Sequence, residues 1–254
     1  MSARGRFAGS AALSLLLLWS AVARADPSAL WRIVHERCVP NEAQHHDPAP
    51  CTLVELSHGA ARGYVVLKDR VGATQFLVLP TARITGIESP ALLARDAPDY
   101  MQDAWAARSF VRRRAPARLS RAELSLAVNS IYGRTQNQLH IHVDCLREDV
   151  RDALSQHRDS IGNAWRPFAV TLAGHRYIAR RLIARDFAGV NPFRMLAEAG
   201  AETRAHMGDY TLAIAGATFG DRPGFILLAD RADLPRGDFA SGETLQDHAC
   251  AVAR

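Results

Sequence analysis

A chain of 254 residues with 48% hydrophobic content can bury a full core, which excludes a largely disordered protein and leaves one large domain or two compact halves. The formal charge of +5 sits mostly at the start: Arg4, Arg6 and Arg24 precede any acid, and from residue 26 on 28 basic residues face 26 acidic ones, leaving +2. That excess is too small to argue for a nucleic-acid partner.

Residues 1–25 combine basic residues, the apolar run "LLLLW" and the small-x-small pattern Ala23-Arg24-Ala25, which predicts an export signal. The apolar stretch is also near the lower length limit of a membrane span, so an uncleaved anchor stays open. Residues 26–254 then form the working domain, with a possible subdivision near 150. They are expected in an oxidising compartment, most simply a bacterial periplasm at the inner membrane.

"SALWRIVHERC" has the apolar spacing of a short helix, and "GYVVLKD" and "TQFLVLP" read as a hairpin closed by "RVGA". "TARITGIESPALL" is irregular, and "PDYMQDAWAARSFVRRRA" is helical with a basic last turn. "LSLAVNS" and "NQLHIHVDCL" are strands joined through the turn "IYGR", and "REDVRDALSQHRDSI" is an amphipathic helix. "HRYIARRL", "YTLAIAG" and "GFILLAD" are further strands around a helix at "NPFRMLAEAG". Short turns between strands, without regular βα alternation, predict an α+β fold with an antiparallel sheet and packed helices.

Cys38, Cys51, Cys145 and Cys250 are an even set in an exported chain, which predicts two disulfides among three possible connectivities. We expect Cys38–Cys51, across the Pro-rich "CVPNEAQHHDPAPC", and Cys145–Cys250, tying the chain end to the histidine strand. The absence of CxxC spacing argues against zinc held by these cysteines.

Strand alternation places Gln138, His140 and His142 on one face and Leu139, Ile141 and Val143 on the other. Three readings compete for the histidines. They are solvent-facing residues of a half-exposed sheet; or two ligands of a metal completed by Asp144 or by His45, His46 and Asp47; or a nucleophile at phosphorus with its phosphate-binding neighbour. Asn129, Gly133 and Thr135, just upstream, are spaced to add polar groups and backbone N–H donors to the same pocket.

The run "NSIYGRTQNQLHIHVDCL" resembles the histidine-triad (HIT) superfamily, whose motif is a glycine turn followed by alternating histidines. With "GYVVLKD", "PTARITGIESP", "GHRYIARRL", "HMGDY" and "QDHAC", it is similar to the bacterial CDP-diacylglycerol pyrophosphatase family from about Trp31 to Cys250. The resemblance implies a HIT-like fold and hydrolysis of CDP-diacylglycerol to CMP and phosphatidate through a nucleotidyl-histidine, with no cofactor or metal. Ungapped alignment on Gly133 puts Gln138, His140 and His142 in the three motif positions, with His140 as nucleophile; a shifted register of His140, His142 and Asp144 makes it His142. A HIT-type hydrolase of soluble nucleotides and a non-catalytic metal- or lipid-binding protein are the alternatives.

Lys68, the only lysine among thirty arginines, and Arg83, in "PTARITG", are further candidates for contact with the substrate phosphates. His175, Arg180 and Arg181 read as a solvated basic face that could meet anionic lipid, and His206 and His248 carry no derivable chemistry. The expected partners are the lipid substrate and the membrane surface; the sequence does not give the oligomeric state.

Overall fold

The period-2 alternation of apolar residues has its counterpart in one antiparallel sheet, seen in a computed structural model that describes residues 26–253. The expected signal or anchor therefore lies outside the described residues. In chain order the strands are β1 (Leu53–Glu55), β2 (Tyr64–Lys68), β3 (Phe76–Pro80), β4 (Leu124–Val128), β5 (Ile141–Leu146), β6 (Arg166–Pro167), β7 (Ile178–Leu182), β8 (Tyr210–Phe219), β9 (Arg222–Arg231) and β10 (Gln246–Asp247). They run β1-β2-β3-β5-β4-β8-β9-β7-β6, with β10 paired to β5 at Gln246↔Leu146 and Asp247↔Cys145. The α+β expectation holds. Because β4 pairs with β8, strands from both sides of residue 150 share this sheet.

One sheet face carries the main core. The helix α3 (Tyr100–Arg114) lays Tyr100, Met101, Ala104, Trp105, Ala107 and Val111 on it at helical spacing. Trp105 meets Phe225 edge-on at 4.9 Å, and Phe225 stacks on Phe187 at 4.1 Å. Leu139, Ile141, Val143 and Cys145 join this core, as their alternation predicts.

The other face has two apolar patches with a polar seam between them. Toward β1–β3, the N-terminal helical segment buries Val34 and Cys38 against Val54, Val65, Leu77 and Leu79. Toward β8 and β9, the helix α4 (Glu148–His157) buries Val150 and Leu154 with Ala213, Ala215 and Leu228. His142, opposite Leu77 on β3 and Ala127 on β4, lies in the seam.

Two expectations need correction. The N-terminal helix does not stop near Cys38: α1 (Ala29–Arg32) passes through a π-helical turn, Ile33–Cys38, into α2 (Val39–His45). The wide turn ahead of Pro40 relieves the clash that a proline ring makes with the preceding turn. The histidine strand begins at Ile141, not Asn137, because its neighbour there is the irregular segment after β3: Leu139 N–H donates to the Ile84 carbonyl at 2.6 Å. Both expected disulfides are present, Cys38–Cys51 and Cys145–Cys250, with Cα–Cα distances of 5.6 and 5.3 Å. No helix of the described residues is long and apolar enough to cross a membrane.

Cys145–Cys250 closes a loop of 105 residues, and loop-closure entropy makes long loops the most stabilised. Replacing both cysteines by serine is expected to lower unfolding free energy by about 3–5 kcal/mol in urea titration. A loss below about 1 kcal/mol would show that the chain end is held by its packing alone.

Candidate active site

The polar seam is built by two segments meeting at β5. Residues 129–140 lead into the strand, and residues 238–250 return across its histidine face as a strap. Small residues let the strap lie on the sheet: a Cβ on Gly242 would come within 2.6 Å of Thr211 Oγ1, 3.3 Å of Ala213 Cβ and 3.4 Å of Ala127 Cβ. Gly242 N–H donates to Thr211 Oγ1 at 2.8 Å. One residue later, Glu243 reaches the histidines.

His140 and His142 are 8% and 4% exposed, so neither is the solvent-facing residue of a half-exposed sheet. Their rings are 4.9 Å apart and steeply inclined at 66°. His140 Nδ1 lies 2.7 Å from the Gln138 carbonyl. A carbonyl can only accept, so Nδ1 holds the proton, and Nε2 of the neutral ring keeps its lone pair. Burial holds the His140 pKa below the ordinary imidazole value and favours that neutral form.

His142 has the opposite tautomer. The Gln75 amide nitrogen is 2.6 Å from His142 Nδ1 and 2.9 Å from Glu243 Oε1. A carboxylate accepts only, so the amide turns its nitrogen toward Glu243 and donates its second hydrogen to Nδ1. The proton of His142 is therefore on Nε2, a buried atom with no hydrogen-bond partner among the described residues. Burial, and after it the neighbouring His140, push the His142 pKa down.

Glu243 and Asp144 hold the third histidine. His248 Nδ1 is 2.8 Å from Asp144 Oδ2, and His248 Nε2 is 3.4 Å from Glu243 Oε1. Hydrogen bonds to these two carboxylates raise the His248 pKa to about 10, so it is an imidazolium at neutral pH. Burial works against the Glu243 carboxylate, but the His248 imidazolium and the Gln75 amide hold its pKa well below the usual range. Asp144 is fully buried and accepts from Thr74 Oγ1 at 2.6 Å and from Cys145 N–H at 2.9 Å.

The remaining sequence candidates divide by position. Gln138 donates from its amide to the Pro80 and Ala82 carbonyls, at 3.0 and 2.9 Å, so its link to His140 is its own backbone carbonyl. Asn129 Oδ1 accepts from Glu243 N–H at 3.2 Å and from Ser241 Oγ at 3.2 Å, which pins the strap. Gly133 is needed for close approach: a Cβ there would lie 3.0 Å from the Phe239 carbonyl. Its N–H and that of Tyr132 are taken by Ser130 Oγ, both at 3.0 Å, and are not free for a phosphate as expected. Thr135 is exposed near the same turn.

Lys68 pairs with Phe76 on the core side of the sheet, opposite the histidines, and donates to the Asp69 and Gly72 carbonyls. The structure does not bring it to the seam. Arg83 is exposed and sits over Trp31, 5.1 Å from the ring centroid, with Ser28 Oγ at 3.3 Å. His45, His46 and Asp47 lie exposed at and just past the end of α2, outside the one convergent metal-type donor group of the described residues, and so do His140 and His142. Sequence reasoning missed Gln75, Thr74 and Glu243 and gave His248 no role. The one available signal was "SGETLQDHAC", whose glycine and polar residues precede the cysteine that anchors the strap.

Known proteins carry similar sequences over almost the same length. A solved structure of a DUF4931 family protein from Bacillus cereus is similar at 9% identity with a TM-score of 0.40, over 71% of this chain and 84% of that one. A CDP-diacylglycerol pyrophosphatase of Yersinia pestis is 43% identical over 227 residues, 89% of this chain and 85% of the relative. The sequence model of the family described as CDP-diacylglycerol pyrophosphatase matches residues 25–254, the signal-like start excepted. A match across the whole sheet, seam and strap means that this chain belongs to the CDP-diacylglycerol pyrophosphatase family.

Proposed function

We propose that the chain hydrolyses the pyrophosphate of CDP-diacylglycerol to CMP and phosphatidate, with His140 as the nucleophile. One observation carries the choice of residue: the Gln138 carbonyl, 2.7 Å from His140 Nδ1, leaves the lone pair on Nε2. In the first step Nε2 bonds to the cytidine-side phosphorus, the bridging P–O bond breaks, and phosphatidate leaves with the electron pair. The ring becomes cationic, and its Nδ1–H bond to the carbonyl strengthens as that charge develops. Water then attacks phosphorus, the P–N bond breaks, and CMP and a proton are released with His140 neutral again.

His142 serves this scheme as a donor. Its Nε2–H has no partner among the described residues, and a phosphoryl or leaving oxygen is the acceptor it lacks. In the shifted register His142 would attack, but its Nδ1 lone pair already accepts from Gln75 and its Nε2 is protonated. The tautomers therefore favour His140.

The two disulfides suit an extracytoplasmic, oxidising compartment. Within it, we place the enzyme at the inner-membrane surface, where residues 1–25 would deliver or anchor it. The exposed Ile131, Tyr132 and Phe239 support a bilayer contact: they sit on two loops joined by the Ser130 Oγ bond to the Phe239 carbonyl at 2.6 Å. These loops flank the histidines, so acyl chains could stay in lipid while the pyrophosphate enters the seam. A soluble-nucleotide hydrolase would have no use for that patch.

His140→Ala is expected to reduce turnover by at least about 10³-fold, and alkali-quenched mass spectrometry of the wild type with CDP-diacylglycerol to show a cytidylyl adduct on His140. An adduct on His142, or an active His140→Ala protein, would refute the assignment. The His248 pKa rises on folding from 6.5 to about 10, so its stabilisation is complete below about 6.5 and fades as pH climbs to about 10. His248→Gln should remove that part of the stability decline between these values in urea titrations. Ile131→Ser with Phe239→Ser should raise KM for vesicle-borne substrate about tenfold while leaving a short-chain analogue unaffected; equal losses on both would argue against bilayer docking.

A further inference from the structure

Among the described residues, a single group of histidine and carboxylate donors converges closely enough to hold a metal, and it lies outside the histidine seam. His175 stands in the turn before β7, Asp230 near the end of β9 and Asp238 in the loop after it. One ligand atom from each falls within 4.8 Å of the others. They line a cleft of about 670 Å³ whose rim includes Arg176, Arg231 and Arg236.

Asp230 is the telling residue. It is 8% exposed, and among the described residues no N–H or hydroxyl donates to its buried Oδ2. That oxygen faces His175 Nδ1 at 3.9 Å, while Asp238 Oδ2 approaches the same nitrogen at 2.8 Å. An unpartnered carboxylate oxygen beside a second carboxylate in a desolvated place is costly unless a cation or a proton joins them. Burial, the Asp238 charge and a hydrogen bond shared between the two carboxyls push the Asp230 pKa up to about 7. Two rim arginines are spent elsewhere: Arg231 bridges Asp209 and Glu202 at 3.2 Å each, and Arg236 pairs with Asp233 at 2.8 Å.

We propose that His175, Asp230 and Asp238 form a binding site for a divalent first-row cation of the zinc type. Tetrahedral zinc, with bonds of about 2.0–2.2 Å, separates its ligands by roughly 3.4 Å, and the 2.8 and 3.9 Å spacings bracket that value. One imidazole with two carboxylates suits zinc better than magnesium or calcium, which take oxygen ligands. Water completes the shell from the open side of the cleft.

The site's place in the chain gives it a task. Asp238 heads the strap: its Oδ1 accepts from Ala240 N–H at 2.9 Å, and the Ala240 carbonyl accepts from Ser130 N–H at 3.1 Å. Three residues beyond Ala240, Glu243 clamps the active histidines. A cation on Asp238 fixes the end of the strap opposite the Cys145–Cys250 bridge. This role does not depend on the reaction assigned to His140.

The test is zinc titration of the metal-stripped full chain by calorimetry, with metal content after desalting measured by mass spectrometry. The wild type and His140→Ala should each bind one zinc, whereas Asp230→Asn and the partly exposed His175→Ala should bind none. Zinc a hundredfold above its dissociation constant should raise the wild-type Tm by roughly 5 °C and leave Asp230→Asn unmoved. No zinc bound by the wild type, with a higher Tm for Asp230→Asn, would mean that the carboxyls simply share a proton. Zinc retained by both site variants, zinc lost in His140→Ala, or calcium bound in preference to zinc would each overturn the proposal.

Discussion

The site depends on one half-buried carboxylate. Glu243 is held between the His248 imidazolium, the Gln75 amide and Asn129, and it turns a stretch of irregular chain into the cover of the histidine face. Its negative charge orients Gln75, and Gln75 in turn selects the His142 tautomer. Remove the charge and the amide has no reason to point its nitrogen inward. The Coulombic attraction is strong because the seam is largely screened from water, and the same screening makes the carboxylate costly unless all its partners are in place.

The strap explains why the apolar patches on this face stay separate. A continuous apolar face would bury the β5 side chains under aliphatic groups. Instead Ala127 and Ala213 leave a shallow channel in the sheet surface, and the strap, entering at Gly242, fills it with backbone and polar side chains. The disulfide at Cys250 and the β10 pairing with Cys145 and Leu146 fix its far end. Packing, ladder bonds and a covalent tie thus converge on the placement of Glu243 and His248.

Local pattern made the scaffold legible. Alternation in "LHIHVDC" set the faces of β5 correctly, the spacing of Tyr100, Ala104, Ala107 and Val111 gave α3, and the Pro-rich loop gave Cys38–Cys51. The chemistry was half legible. His140 and His142 stand in a recognisable run, but Gln75 and Glu243 are brought to them from 67 and 101 residues away from His142 by strand order and by the strap, which no local period encodes. Lys68 misled for a related reason: its rarity in composition says nothing about which sheet face it occupies. The burial of both histidines was also hidden, since their cover is a segment without regular structure.

That burial has a chemical consequence beyond shape. An exposed imidazole near neutral pH is divided between protonated and neutral forms, and its two neutral tautomers exchange freely. Inside the seam, burial suppresses the charged form of His140 and His142, and one hydrogen bond to each ring selects the tautomer. The positive charge is carried by His248 instead, where Asp144 and Glu243 stabilise it. Three histidines thus settle into three states: one with a free lone pair, one with a free N–H, one cationic. The difference comes from partners rather than from residue type, which is why an acceptor-only carbonyl and an acceptor-only carboxylate matter as much to this site as the imidazoles.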